Sequence, residues 1–197
     1  MEEKTNVLIV EDDKGLGEFL STCLKEKGFF VEIVEDGGSA LSHIEKKPPD
    51  LILLDIMIPV VDGFEVCCKL KQQEKFQNIP IIIITARSDQ DSMSAGFESG
   101  TDDYIVKPFD AYELILKMEK ALKVKGLIDG LRKNLSDMNS EACPPISAIK
   151  KEAELLLKGK YGELSEEQKK KVQVIEDRSS KLLEMIKSLS EIFLVKS

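Results

Sequence analysis

Histidine is almost missing from this chain: His43 is the only one among 197 residues. The four cysteines, Cys23, Cys67, Cys68 and Cys143, show no CxxC spacing. Neither a structural zinc site nor a disulfide framework is therefore supported, and buried small thiols are the plainer reading. No apolar run approaches the ~18 residues that a membrane span needs. The start, "MEEKTNVLIVEDD", is acidic where a secretory signal is basic. A cytoplasmic protein with no membrane partner is expected. Clustered positive charge is lacking as well. Residues 1–123 carry 14 basic and 24 acidic side chains, and residues 124–197 carry 14 and 12. The densest basic run, Lys169-Lys170-Lys171, has acidic neighbours on an amphipathic helix and reads as a solvated face. Binding to a nucleic-acid backbone needs clustered Lys and Arg, so no nucleic-acid partner is expected.

What is present up to residue 123 is an alternation. Short runs rich in Val and Ile, "NVLIV", "VEIV", "LILLD", "IPIIIIT" and "DYIVK", are separated by segments of helical period such as Leu16, Phe19, Leu20, Cys23 and Leu24. Strands that are apolar almost throughout are buried on both faces, which requires a parallel sheet covered by helices through right-handed crossovers. The expected fold class is α/β, a five-stranded parallel doubly wound sheet, followed by an all-α hairpin. An apolar share of 42% suits one well-buried core with a smaller appendage.

Ligands of such sheets bind outside the carboxyl ends of the strands. There the chain places Glu11, Asp12 and Asp13 after the first strand, Asp55 at the third, Thr85 at the fourth and Lys107 at the fifth. Each has a dull explanation singly: Asp13 suits a helix cap, Thr85 a strand, Lys107 the surface. Together they make a site, because carboxylates on one rim repel unless a hard cation lies among them, and Mg²⁺ fits that composition.

The stretches "LIVEDD", "LILLDIMIPVVDGFEV", "IIIITAR" and "AGFESGTDDYIVKPFD" resemble the receiver domain of two-component response regulators over about residues 5–123. The resemblance implies that Asp55 accepts a phosphoryl group from a sensor histidine kinase. It implies that Glu11, Asp12, Asp55 and the Met57 backbone carbonyl hold Mg²⁺. Thr85 and Lys107 match the residues that contact the phosphoryl oxygens, and Thr85 with Tyr104 matches the family's switch pair. Met57 and Arg87 depart from the more polar versions of the family, which puts the lifetime of the phosphorylated state in question.

Beyond the receiver, Leu131, Leu135, Met138, Ala142, Ile146, Ile149, Ala153 and Leu156 form one helical stripe. Pro144 and Pro145 interrupt it, at a cost of roughly 3 kcal/mol or more each in a helix interior. "KGKYGELSEEQ" supplies a turn at Gly159 and Gly162 and a capping box from Ser165 to Gln168. Val172, Ile175, Ser179, Leu182, Ile186, Leu189 and Phe193 follow at heptad spacing. An antiparallel hairpin results, and so long a seam predicts pairing with a second copy as a four-helix bundle. "MNSEACPPISAI" and the turn resemble the dimerisation and histidine phosphotransfer domain of sensor kinases. Aligned on Pro145, the phospho-accepting histidine of that family falls on Ser140, so the hairpin is expected to keep the fold and lack the chemistry. His43 lies on the second receiver helix and is no substitute.

The expected organisation is a receiver at 1–123, a helical linker at 124–134 and the degenerate hairpin at 135–197. The expected function is that of a phospho-accepting response regulator, not an enzyme acting on other substrates. Its output would run through a homodimerising hairpin and an effector protein. A phosphorelay transferase is the alternative.

Overall fold

A computed structural model describes residues 5–86 and 100–194 of the chain. The residues group into two compact units, Met1–Leu127 and Ile128–Ser197. In the first unit, β1 (Asn6–Val10), β2 (Phe30–Val34), β3 (Leu51–Asp55), β4 (Ile81–Thr85) and β5 (Asp103–Val106) form one parallel sheet in the order β2-β1-β3-β4-β5. Between them lie α1 (Lys14–Glu26), α2 (Gly37–Lys46) and α3 (Gly63–Lys71). Each begins on an aspartate. Asp13, Asp36 and Asp62 accept the amides of Leu16, Ser39 and Glu65, which satisfies one orphan donor of each first turn. A last helix of this unit starts at Ala111; it is α4, which runs to Leu157.

The strand pattern works out as its apolar content requires. β3 and β4, central in the sheet, are buried at all five positions each, while the edge strands β2 and β5 are only partly covered. Leu8, Val10, Ile52 and Leu54 point into one core with Ala40, Ile44 and Val66. Val7, Ile9, Leu51 and Leu53 point into the other with Leu20, Leu24, Leu114 and Met118. Alternation along each strand thus feeds two layers. The fourth apolar run is shorter as a strand than as a run, since the pairing begins only at Ile81.

Gly63 is set by close approach. A Cβ there would lie 2.3 Å from the Asp55 carbonyl oxygen and 2.8 Å from the Ile56 Cα, backbone atoms with no freedom to yield. Gly63 N–H donates to the Ile56 carbonyl at 3.0 Å, so α3 starts directly against the end of β3. Gly63→Ala is expected to lower unfolding stability by about 3 kcal/mol through overpacking. Urea denaturation checks this; an unchanged midpoint would mean that the loop moves aside freely.

The second unit contains the rest of α4 and α5 (Glu166–Leu194). The capping box forms: Ser165 N–H donates to Gln168 Oε1 at 2.8 Å and Gln168 N–H to Ser165 Oγ at 3.3 Å. Gly159 and Gly162 turn the chain with φ of 74° and 115°. The prolines do not end the helix; Pro144 and Pro145 both lie inside α4. They remove the donors for the carbonyls of Ser140 and Glu141, residues that are both exposed to water. On the same turn Asn139 Nδ2 donates to Ser190 Oγ at 2.7 Å, which ties the two helices together, and Cys143 Sγ donates to Asn139 Oδ1 at 3.3 Å within α4.

The heptad seam divides in two. Ser179 and Ile186 are buried and Val172 is half-buried, whereas Ile175, Leu182 and Leu189 are exposed. One row is covered within the hairpin; the other is left about half exposed. The Phe193 side chain and Arg87 lie outside the described residues.

Candidate functional site

Residues far apart in the chain meet at the carboxyl ends of the strands. β1 ends at Val10, so Glu11 and Asp12 leave the sheet at its rim; β3 ends on Asp55 itself. Glu11, Asp12 and Asp55 each offer a carboxylate oxygen within 4.8 Å of the others. Glu11 and Asp55 are buried and Asp12 is exposed. Asp13 goes elsewhere, as the cap of α1. Lys107, just after β5, donates to Glu11 Oε2 at 2.9 Å and also to Asp55 Oδ2. The Lys107–Pro108 peptide is cis. Thr85 is buried at the end of β4. Met57 N–H donates to Asp55 Oδ1 at 2.9 Å, while the Met57 side chain is 66% exposed. Tyr104 is half-buried on β5, beside the strand that carries Thr85.

The electrostatics are those of an under-neutralised site. Burial raises the Glu11 pKa above 4.5; the charge of Asp55 adds to this, and the Lys107 hydrogen bond only partly offsets it. Burial disfavours the Lys107 charge, but the Asp55 and Glu11 carboxylates outweigh this and raise its pKa above 10.5. An all-oxygen set holding more negative charge than one ammonium can balance fits a hard divalent cation such as Mg²⁺.

A carboxyl whose folded pKa lies above its unfolded one binds its proton more tightly in the folded chain, so its ionisation costs stability as pH rises beyond 4.5. Urea unfolding of the metal-free protein should therefore show a destabilising slope above pH 4.5 that Glu11→Gln lacks. Identical slopes in both proteins would remove Glu11 as its source.

Ser140 is exposed on α4, and its Oγ donates to the Asp137 carbonyl at 3.0 Å, a bond within its own helix. His43 lies on α2, with Nε2 3.6 Å from Glu32, away from the strand ends. Glu11, Asp55, Thr85 and Lys107 were legible because each sits at or just past a strand end. Three partners were not: Asn139, the Asp103–Lys117 pair at 2.7 Å, and Lys125, which reaches Asp50 at 3.1 Å. Only an asparagine beside an apolar stripe could have signalled the first. Among the described residues no helix is long and apolar enough to cross a membrane.

A sequence profile described as the response regulator receiver domain matches residues 7–119. Response regulator ArlR of Staphylococcus epidermidis strain RP62A is 42% identical over 119 residues, covering 60% of this chain and 53% of that protein. The chain thus spans about half the length of the curated relatives it matches. The signal receiver domain of a signal transduction histidine kinase from Syntrophus aciditrophicus superposes with a TM-score of 0.58 at 34% identity, over 60% of this chain and 90% of that one. The receiver domain of sensor histidine kinase PA1611 from Pseudomonas aeruginosa PAO1, solved with a magnesium ion coordinated in its active site cleft, gives a TM-score of 0.58 at 30% identity. It covers 61% of this chain and 99% of its own. The second unit lies outside the profile match.

Proposed function

We propose, for a chain that belongs to the response regulator receiver domain family through residues 7–119, that it is phosphorylated on Asp55 and signals through protein contacts of its C-terminal hairpin. Receivers are phospho-accepting signalling domains served by sensor histidine kinases, so a kinase of that class is the expected donor. The observation that carries the reading is the convergence of Glu11, Asp12, Asp55 and Lys107 on one rim.

The chemistry follows from those groups. An Asp55 carboxylate oxygen attacks phosphorus in line, the donor's leaving group departs with its bonding electrons, and an acyl phosphate forms. Lys107, already placed between the carboxylates, has an ammonium to turn toward the incoming phosphoryl oxygens. Glu11, Asp12 and Asp55, with the Met57 backbone carbonyl, are the groups that would hold Mg²⁺, which when bound supplies positive charge against the same oxygens. The Thr85 hydroxyl contacts the phosphoryl group from β4, and the space it vacates is open to the Tyr104 ring, so phosphorylation biases two packings of this face.

For the hairpin, the reading is a degenerate kinase-type dimerisation domain. Support comes from the resemblance of the sequence around Pro145, which aligns Ser140 with the family's phospho-accepting histidine, and from a half-exposed apolar row on α5. Ile175, Leu182, Met185 and Leu189 lie on one side of that helix and are between 43% and 54% exposed. A groove of about 370 Å³ lined by Ile149, Ala153, Leu156 and Ile175 opens on the hairpin. A second copy brings the same row to it and closes a four-helix bundle.

The test is incubation of the full chain with a small acyl phosphate, with Mg²⁺ present and with it chelated. One base-labile phosphoryl group per chain, dependent on the metal, is expected by intact mass. Uptake that ignores the chelator, or that resides on a serine, overturns the reading.

A further inference from the structure

On β5, Asp103 holds two groups with one oxygen. Its Oδ1 accepts the Tyr104 backbone N–H at 2.8 Å and the Lys117 ammonium of α4 at 2.7 Å. The Lys117 Nζ stands 5.7 Å from the centroid of the Tyr104 ring. The two side chains of the ion pair are largely covered, 25% exposed for Lys117 and 20% for Asp103. An ammonium above a ring face is attracted by the ring's quadrupole, and more so when it has lost part of its water. A lysine on its flexible stem seldom stays in such a place unaided. Here Asp103 pins it, and the same carboxylate pins the backbone from which the ring projects.

We propose that the Asp103–Lys117 pair is a latch that positions Tyr104, holding the ring in the arrangement described and thereby setting how readily phosphorylation rearranges it. The proposal rests on the reading of Tyr104 as the switch residue of a receiver phosphorylated on Asp55. Its physical content is a population shift. Interactions present in only one packing favour that packing, and their loss favours the other. Because coupling between two events is reciprocal, a ring released from its latch makes the phosphorylated state easier to reach. Lys117 touches neither the phosphoryl group nor the metal site; it acts through Tyr104.

The experiment uses the full chain, a small acyl phosphate and Mg²⁺, with Lys117→Met, Asp103→Asn and Lys117→Arg beside the parent. Two quantities are read: the rate of phosphoryl uptake, and the ring signals of labelled tyrosine in the unphosphorylated proteins. The chain has three tyrosines, and Tyr104→Phe identifies the signal that matters. Lys117→Met and Asp103→Asn should each take up phosphoryl about threefold faster, the effect of one partly covered cation–π contact. Both should shift the Tyr104 signal while those of Tyr112 and Tyr161 stay in place. Lys117→Arg, which keeps both the ion pair and the cation, should behave as the parent does. A Tyr104 signal unmoved in Lys117→Met overturns the latch, and so does a moved signal with parental uptake. Equal changes in Lys117→Arg and Lys117→Met would reduce Lys117 to a packing residue and overturn it too. Should the parent itself take up no phosphoryl group, the switch reading fails, and the ring signals still decide whether the latch exists.

Discussion

Asp55→Asn is expected to take up no phosphoryl group from an acyl phosphate in the presence of Mg²⁺, and to remain folded while failing to do so. The amide has no anionic oxygen with which to form the anhydride, so the loss is complete. Stability is a separate matter. The substitution removes the Lys107 ion pair to Asp55, which costs the fold, but also removes the negative charge that helps raise the Glu11 pKa, which benefits it. The carboxamide oxygen of the variant side chain can still accept the Met57 amide that Asp55 Oδ1 accepts at 2.9 Å. Lys107 keeps Glu11 as a partner at 2.9 Å, so no charge is stranded and the fold is expected to persist. Thermal unfolding and intact mass on the same sample check both halves. Full uptake in Asp55→Asn would place the acceptor elsewhere, and a collapsed melting transition would make the loss of uptake uninformative about chemistry.

The whole chain is expected to be a dimer with or without phosphodonor, and the double variant Ile175→Glu, Leu182→Glu to be a monomer. Four large apolar side chains on α5, each about half exposed, stand to cover surface from each copy. At about 25 cal/mol per Å² this amounts to about 1 kcal/mol per side chain, and it is drawn from both partners. A carboxylate placed in that contact is buried among apolar side chains without a counter-ion, a loss of about 3 kcal/mol or more. The dissociation constant should rise at least about a hundredfold, as that energy converts. The substituted positions are exposed in the single hairpin, so the helices themselves should survive, which circular dichroism checks. Light scattering that finds a monomeric parent, or a double variant as dimeric as the parent, would take assembly away from this face.

The receiver was legible in advance because its determinants are local. A strand buried on both faces must be apolar throughout, and an aspartate that caps a helix must precede it by a fixed step. "LILLD" and "IIIIT" therefore announce β3 and β4, and Asp13 announces the start of α1. The carboxylates were legible for a related reason: in a parallel sheet every strand end faces one rim, so connectivity alone brings Glu11, Asp12 and Asp55 together.

Residue type and order by themselves determined the α/β class, the strand and helix alternation and the rim on which the acidic residues and Lys107 gather. Only the tertiary structure decided how those groups divide. Glu11, Asp12 and Asp13 are chemically alike in the sequence, yet one is buried against Lys107, one is open to solvent and one caps a helix, because the chain turns away from the sheet within three residues. The heptad of α5 is similarly uniform in sequence and unequal in space. A single facing helix covers only one flank of an apolar stripe, so Ser179 and Ile186 are buried while Ile175, Leu182 and Leu189 are left to water. Pro144 and Pro145, which propensity reads as breakers, stay inside α4. There Asn139 bonds across to Ser190 on α5, a contact between residues 51 positions apart that no local pattern encodes.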